Sequence, residues 1–478
     1  MRSAYSISFL SLILISYCLI GCGGLTKKKN EDPPIPTKDW AEIKEDSVIT
    51  ILAENSPVSY FIYRGRNMGY EYELLYEFSK DQNIRIQIQM VNDLDRMFEL
   101  LDSCRGDVIA CNLTINERRD EFVDFTVPHM HTHQVLIQRK PENYQKLKSS
   151  ELDDTLIRAP EELAGKTIHV WKNSSYFEKI TQLNQSLNLN MEIVPTEGDL
   201  ITEELIRMVS DGEINYTIAD ENVADIDLRY YPNLDIKMQL SHADSIGFAV
   251  RESSPNLRDT LNAWLLDKRN ASTIGEVQRK YFKRRSHTNK ANQDYSSLNG
   301  DQLSPYDDIV KRESDSIGWD WRLISAIIYQ ESKFETYKES GAGAFGIFQF
   351  MPSTAASYGI NRSSSAEAQI KAGIRKLKKN YDQWLEEIND STECIYFTLG
   401  TFNAGRSHID DARALAKKHG LNDSVWHDNV ADMVRNLSKP TYYRDEVVKN
   451  GYLRGIETYE YIIEVIQRYE EYQAAFPD

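Results

Sequence analysis

The chain has 478 residues, 41% hydrophobic and 27% charged, which fits roughly two or three globular domains and excludes a disordered or fibrous class. Its formal net charge is -17 and no lysine- and arginine-rich patch offsets it, which argues against nucleic acid as a partner. From the N-terminus, Arg2 and the apolar run 7–20 read as a secretion signal, the run being short for a membrane span. Residues 23–38 hold Lys27, Lys28 and Lys29 and then Pro33, Pro34 and Pro36, an extended tether. Residues 48–52 and 84–90 read as strands, the second alternating cleanly, and 74–79 and 94–101 as helices. Strands alternating with helices predict parallel sheets. His129, His131 and His133 alternate along a predicted strand, but no carboxylate or cysteine completes a metal set in sequence, so they read as polar strand residues. No zinc-type Cys/His spacing occurs, and no metal or cofactor is expected. Cys104 and Cys111 can pair in an oxidising envelope or stay as buried thiols; the apolar run 107–111 favours thiols. Polar residues 283–304 predict a linker, and from Pro305 onward the pattern is helical.

Several stretches carry family resemblances. Leu19-Ile20-Gly21-Cys22 resembles a bacterial lipobox, which implies a lipoprotein signal peptide over 1–21, lipid on Cys22 and a lipid-anchored tether over 22–46. Gly69-Tyr70-Glu71-Tyr72-Glu73-Leu74, the stretch from Asp107 to Pro128, Ala219-Asp220 and Gly247-Phe248-Ala249-Val250 resemble the periplasmic solute-binding proteins of the amino-acid-binding type. The resemblance implies an α/β two-lobed periplasmic-binding-protein-like domain over 47–285, with a ligand cleft and a hinge between the lobes, and a linker over 286–304. It also implies that Arg119 grips a ligand carboxylate, with Arg118 as its competitor one residue away. A planar guanidinium fork suits that role. Asp220 would hold the ligand amine, and Thr114 and the Asn173-Ser174-Ser175 turn would add polar contacts. The plain alternative, a surface arginine and a turn aspartate, stays open. The implied ligand is a muropeptide or an amino acid.

In the C-terminal part, helices are predicted at 320–332, 353–358, 365–389, 395–402, 409–418 and 456–472. In the first of these, Asp320 can cap, and Ile324, Ile327, Ile328 and Glu331 share one face. A carboxylate thus ends a core-facing stripe, where burial raises its pKa. A carboxylic acid protonated near neutral pH suits cleavage of a sugar ether linkage, although on the helix alone a structural glutamate bonded to backbone is the favoured reading. A loop with Gly341, Gly343 and Gly346 follows, then Pro352 in the first turn of a new helix. The loop also matches a dinucleotide-binding glycine pattern, but it follows a helix and opens no βαβ unit. Trp319, Trp321, Trp384 and Trp426 read as core before sugar-stacking surface.

Glu331-Ser332, Ser340, Gly343-Ala344-Phe345-Gly346-Ile347, Gln349 and Met351-Pro352, then Phe402-Asn403-Ala404-Gly405 and Glu457-Thr458-Tyr459-Glu460-Tyr461, resemble the lysozyme-like lytic transglycosylases. The resemblance implies a mainly α lysozyme-like catalytic domain over 305–478 that acts on peptidoglycan glycan strands. Glu331 would be the acid/base, Ser340 and Tyr461 would orient reacting groups, and Gln349, Asn403 and Glu457 would bind substrate. Phe402 stands where the family has Tyr. The implied reaction breaks the bond from N-acetylmuramic acid to N-acetylglucosamine without water and leaves a 1,6-anhydro sugar. A lysozyme-type muramidase and a non-catalytic wall-binding or sensor lipoprotein are the alternatives. The resemblances together imply an envelope protein, lipid-anchored and facing the periplasm, with the outer membrane favoured over the inner.

Overall fold

The computed structural model describes residues 37–172, 174–196, 201–228, 231–283, 295–298 and 302–477. The signal, Cys22, the tether up to residue 36, Asn173 and most of the expected linker lie outside the described residues. No helix among those described is long and apolar enough to cross a membrane.

The N-terminal half folds as two lobes, each around a five-stranded sheet. The first orders its strands Arg85–Met90, Val48–Ala53, Val108–Ala110, Ala249–Val250, Asp124–Phe125. The first three are parallel, Val48 lying opposite Arg85 and Ile51 opposite Val108. The second orders Glu192–Thr196, Thr167–Trp171, Tyr216–Asp220, Gln134–Arg139, Leu234–Asp235. Residues 51–53 and 108–110 are apolar and buried on both faces because helices cover each side, as parallel sheets require. The chain leaves the first lobe along Met130–Thr132 and returns along Asp244–Ile246; these two segments pair antiparallel and form the hinge. The expected two lobes and hinge are therefore present.

Two expectations need correction. The tether does not extend to residue 46. Asp39 makes a capping box with Glu42 at the head of the helix Trp40–Asp46, Ile43 is fully buried and Trp40 packs 5.8 Å from Phe78. Nor is all of 286–304 a free linker. Ser297 N donates to Ile62 O at 2.9 Å and Arg64 N to Tyr295 O at 2.8 Å, so residues 295–298 lie along the hairpin formed by Phe61–Tyr63 and Arg66–Met68. Local composition cannot reveal such an edge, because its partner lies more than 200 residues away, where Ser297 Oγ meets Asn55 Oδ1.

The C-terminal half is helical. Trp384 and Trp426 lie in its core, Trp384 Nε1 donating to Thr401 Oγ1 at 2.9 Å. The helix Trp321–Ser332 starts where predicted, with Asp320 accepting from Arg322 N at 2.9 Å. The helix from Ser391 to Ala404 runs longer than expected at both ends, and the last helix spans Gly455–Ala475. Cys104, Cys111 and Cys394 are free thiols. The three histidines do not share one strand face. His129 is buried against Glu71 at 3.1 Å, His131 meets Ser245, and His133 meets Ser241 O.

The hairpin joins the two halves. Its tip residue Gly65 has φ +74°, and a Cβ there would lie 2.6 Å from both Tyr329 and Tyr472 and 2.9 Å from Phe334. Only glycine fits so close an approach. Tyr472 Oη donates to Gly65 O at 2.9 Å, and Asn67 Nδ2 to the buried Glu471 at 2.9 Å. The first lobe thus touches Tyr329 and Phe334, which flank Glu331 in the chain.

Candidate active site

Glu331 sits in the last turn of Trp321–Ser332. Ile324, Ile327 and Ile328 on its face are fully buried, so the core-facing stripe places the carboxylate at the edge of the core, as its spacing predicts. Lys333 (φ 56°) and Phe334 (φ 65°) then adopt the left-handed conformation and turn the chain away. Such residues cost about 1–2 kcal/mol each; burial of Phe334 against Tyr329 and the hairpin tip holds the turn.

Burial pushes the Glu331 carboxyl up to about 7. The hydrogen bond from Tyr461 Oη, 2.8 Å from Oε1, and the Lys376 and Lys338 ammonium groups oppose that rise and lose to it. Among the described residues, the groups acting on the Glu331 carboxyl are thus one phenol and two cations, with no other carboxylate among them. Lys338 Nζ is tied to the Glu331 carbonyl at 3.0 Å, which fixes it beside the helix end.

The glycine loop packs on the end of the helix that carries Glu331, Ser332 Oγ donating to Ile347 O at 2.8 Å. Gly346 has φ +84°, and a Cβ there would lie 2.1 Å from Gln369 Oε1, which accepts from Ile347 N at 2.8 Å. Ser340 and Gln349 both lie in this loop. Ser340 Oγ accepts from Ala344 N at 3.0 Å, which leaves its proton free to donate. Gln349 Nε2 donates to the carbonyls of Lys338 and Gly346, so only its Oε1 is left for a ligand. Asn403 is exposed, its Oδ1 accepting from Thr458 Oγ1 at 2.8 Å. The structure brings Glu331 and Tyr461 into contact and mounts Ser340 and Gln349 on one loop. It does not bring Glu457 to them. That residue faces solvent at the start of its helix, paired with Arg454 at 3.2 Å, and its neighbour Thr458 makes the contact to Asn403.

Sequence reasoning missed Lys376. Its ammonium lies 3.8 Å from the Phe402 ring centroid and 5.7 Å from that of Phe350. Burial lowers its pKa to about 8, against the opposing pull of Glu331. The signal was present: Gln369, Ala372 and Gly373, seven, four and three positions earlier, are all buried, so Lys376 continues an inward stripe. Phe402, in place of a tyrosine, offers its ring face to that cation. Lys376, near 8, is still mostly charged at the midpoint of the Glu331 titration near 7. Removing its charge by Lys376→Met therefore lets Glu331 hold its proton to higher pH. The alkaline limb of kcat/KM is expected to move upward; an unmoved limb in a pH–rate profile would mean Glu331 does not feel this cation.

The inter-lobe cleft holds the other expected residues. Arg119 is buried, donates to Thr114 O at 2.8 Å and lines a cavity with Thr114, Ser174, Ser175 and Tyr176. Arg118 instead lies exposed and pairs with Glu178. Ser174 caps the helix Ser175–Leu187, accepting from Phe177 N at 3.3 Å. Thr114 Oγ1 and Ser175 Oγ meet across the cleft at 3.1 Å. Asp220 accepts from Asn112 Nδ2 at 2.7 Å and Tyr176 Oη at 3.0 Å. Glu54 and Glu203, which also line the cavity, were not anticipated.

Comparison with known proteins agrees with this division. Residues 48–284 match the bacterial extracellular solute-binding proteins, family 3, and residues 308–424 match the transglycosylase SLT domain. The chain is similar to a protein of Desulfosudis oleivorans named membrane-bound lytic murein transglycosylase F, 28% identical over 435 residues covering 90% of each chain. A Pseudomonas putida protein of the same name is 29% identical over 437 residues, covering 90% of this chain and 85% of that one. Among solved structures, a mutant arginine-binding protein from T. maritima covers 51% of this chain and 99% of its own, at 20% identity and a TM-score of 0.44. The chain thus carries a family 3 solute-binding region followed by a transglycosylase SLT domain, and over nine-tenths of its length it is similar to proteins named membrane-bound lytic murein transglycosylase F.

Proposed function

We propose that Glu331 acts alone as both acid and base in cleaving peptidoglycan at the bond from N-acetylmuramic acid to N-acetylglucosamine. The observation that carries this reading is a desolvated carboxyl near 7 on which, among the described residues, a phenol and two cations act and no other carboxylate does. Hydrolytic glycosidases generally need two carboxylates, one of them to activate water or attack the sugar. Here protonated Glu331 gives its proton to the glycosidic oxygen as the bond to C1 breaks. The substrate's own N-acetyl oxygen captures the cation at C1. Glu331, now a carboxylate, removes the proton from the 6-hydroxyl, whose oxygen attacks C1, displaces the N-acetyl oxygen and closes a 1,6-anhydro ring. Positioning replaces activation in this step, because the nucleophile is already attached. Tyr461 fixes Glu331, while Ser340, Gln349 and Asn403 offer hydrogen bonds to sugar groups.

The cleft between the lobes is a regulatory ligand site, with Arg119 for a carboxylate and Asp220 for an amine, supported by Thr114, Ser174 and Ser175. A hairpin seated on both flanks of Glu331 gives its closure a route to the catalytic helix. The lipobox ending in Cys22 and the relatives' membrane-bound name support a lipid-anchored envelope protein, facing the periplasm, with the outer membrane favoured. A catalytic domain over 305–478, a regulatory region over 47–285 and lipid on Cys22 make up the domain plan.

Mass spectrometry of purified peptidoglycan digested by the protein tests the reaction. Fragments ending in 1,6-anhydro-N-acetylmuramic acid are expected. Fragments heavier by one water, with reducing ends, would make the enzyme a hydrolase instead.

A further inference from the structure

A cation acts on the acid/base with no acceptor for its own protons. Lys376 lies on the helix Ala366–Leu385, one turn beyond Gly373, where a Cβ would run into the Phe348 ring. That bare backbone lets Phe348 sit against the helix, its ring centroid 6.1 Å from that of Phe402 and 6.4 Å from that of Phe350. The Lys376 ammonium rests on the same cluster, 3.8 Å from the Phe402 centroid and 5.7 Å from the Phe350 centroid. Phe350 directly follows Gln349 on the glycine loop, and Phe402 directly precedes Asn403. The cation is therefore bracketed by the two segments that carry Gln349 and Asn403, and its charge is felt at the Glu331 carboxyl.

Ring faces balance part of the charge, but they leave the three N–H donors of an ammonium without an oxygen to accept them. Lys371 and Lys378, on the same helix, pair with Glu367 and Asp382. Lys376 makes no hydrogen bond and no ion pair among the described residues, although it is drawn inward. Glu331 attracts it through space without pairing with it, so the two charges are not spent on each other. Desolvating a charged donor without an acceptor is costly, and natural structures keep one where an acceptor arrives. In this cleft the arriving acceptor is a sugar oxygen.

The chemistry selects which oxygen, given the reading of Glu331 as lone acid and base, on which this inference rests. The glycosidic oxygen already receives the Glu331 proton. The N-acetyl oxygen attacks C1 with its own electrons, and a cationic donor on it would slow the attack. The 6-hydroxyl must give up a proton to Glu331 while its oxygen stays aimed at C1. A fixed ammonium beside that oxygen orients it and favours loss of the proton. We propose that Lys376 is a catalytic residue that donates a hydrogen bond to the muramoyl O6 and so directs the intramolecular closure. Phe402, where the family has tyrosine, brings no hydroxyl, and the cation on its ring face supplies a donor instead. Lys376 keeps its own protons throughout. The O6 proton passes to Glu331, the bond from O6 to C1 forms, and the bond from C1 to the N-acetyl oxygen breaks. Without the ammonium O6 can turn away, and water competes: its oxygen bonds to C1, its proton goes to Glu331, and a reducing end forms.

The test is the partition of products from soluble, uncrosslinked glycan strands digested by the full chain in detergent and weighed by mass spectrometry. Wild type, Lys376→Met and Lys376→Arg are compared one pH unit below the Glu331 midpoint of about 7, where Glu331 holds its proton with or without the cation. In Lys376→Met the ratio of reducing ends to 1,6-anhydro ends is expected to rise about tenfold, and kcat to fall about tenfold with KM little changed. Lys376→Arg, which keeps a charged donor, is expected to restore the wild-type ratio. Thermal unfolding checks that each variant is folded, and Lys376→Gln stands in for the methionine variant if that one is not. A ratio unchanged in the folded Lys376→Met or Lys376→Gln variant would overturn the proposal and leave the cation acting only through the Glu331 charge. A raised ratio that Lys376→Arg shares in full would also overturn it, because packing rather than the donor would then direct the closure. Reducing ends alone from the wild type would overturn the reading of Glu331 itself, so the two failures are distinct.

Discussion

Glu331→Gln is expected to cut turnover on peptidoglycan by about 10²–10⁴-fold, the range that a positioned acid/base contributes, while the protein stays folded and still binds its substrate. The amide matches the carboxyl in shape and its oxygen can still accept from Tyr461 Oη, which lies 2.8 Å from Oε1 in the wild type. What it cannot do is release a proton to the leaving oxygen and take one back from the 6-hydroxyl. Stability should hold or rise, because the change removes a buried ionisable group that burial already drives toward its neutral form. The pH dependence sharpens the test. Wild-type kcat/KM requires the protonated acid, so it is full below about 7 and falls as pH rises through that value. The residual rate of the glutamine variant should lose this limb. Pull-down on insoluble peptidoglycan, thermal unfolding and a pH–rate profile measure the three quantities. A variant that cleaves at the wild-type rate would remove Glu331 from the chemistry.

The helix that presents Glu331 was legible because every signal for it is local. Asp320 caps it, its apolar residues repeat at helical spacing, and the carboxylate falls on that repeat. The glycine loop was legible for a similar reason, since Gly343 and Gly346 do adopt positive φ. Strand and helix alternation points to the parallel sheets, and the resemblance alone to two lobes and a hinge. What escaped depends on partners far along the chain. A lysine defaults to solvent, and Lys376 is drawn inward by Phe402 from another helix. Glu54 and Glu203 become neighbours only when two lobes close. Residues 295–298 looked like linker because their composition is polar, yet the hairpin edge they line supplies the missing backbone partners. Its motif offers Glu457 as a substrate contact, whereas the helix turns it to solvent and turns Thr458 inward.

Gly346→Ala should do more damage than its size suggests, through two independent costs. A left-handed backbone costs alanine about 1–2 kcal/mol that glycine does not incur; Gly346 has φ +84°. The new methyl would also stand 2.1 Å from Gln369 Oε1. Gln369 is 1% exposed, accepts from Ile347 N and donates to Ser364 O at 2.8 Å, so it has little room to retreat. If it swings away, the Ile347 N–H loses a buried partner, at about 1–3 kcal/mol. A total of about 2–5 kcal/mol should appear as a lower unfolding midpoint of the catalytic part. Activity should fall further than folding does. The same loop carries Ser340 and Gln349, and Gln349 Nε2 is anchored on the Gly346 carbonyl itself. A displacement of about 1 Å in such a loop can cost about 10²-fold in rate. Gly341→Ala is the matched control, because a Cβ there meets nothing within 4 Å and it lies five residues earlier in the same loop. It should leave unfolding midpoint and kcat near wild type. Equal losses in both variants would mean that the loop tolerates no side chain anywhere, whereas loss at Gly346 alone ties the cleft's shape to the single contact between that glycine and Gln369.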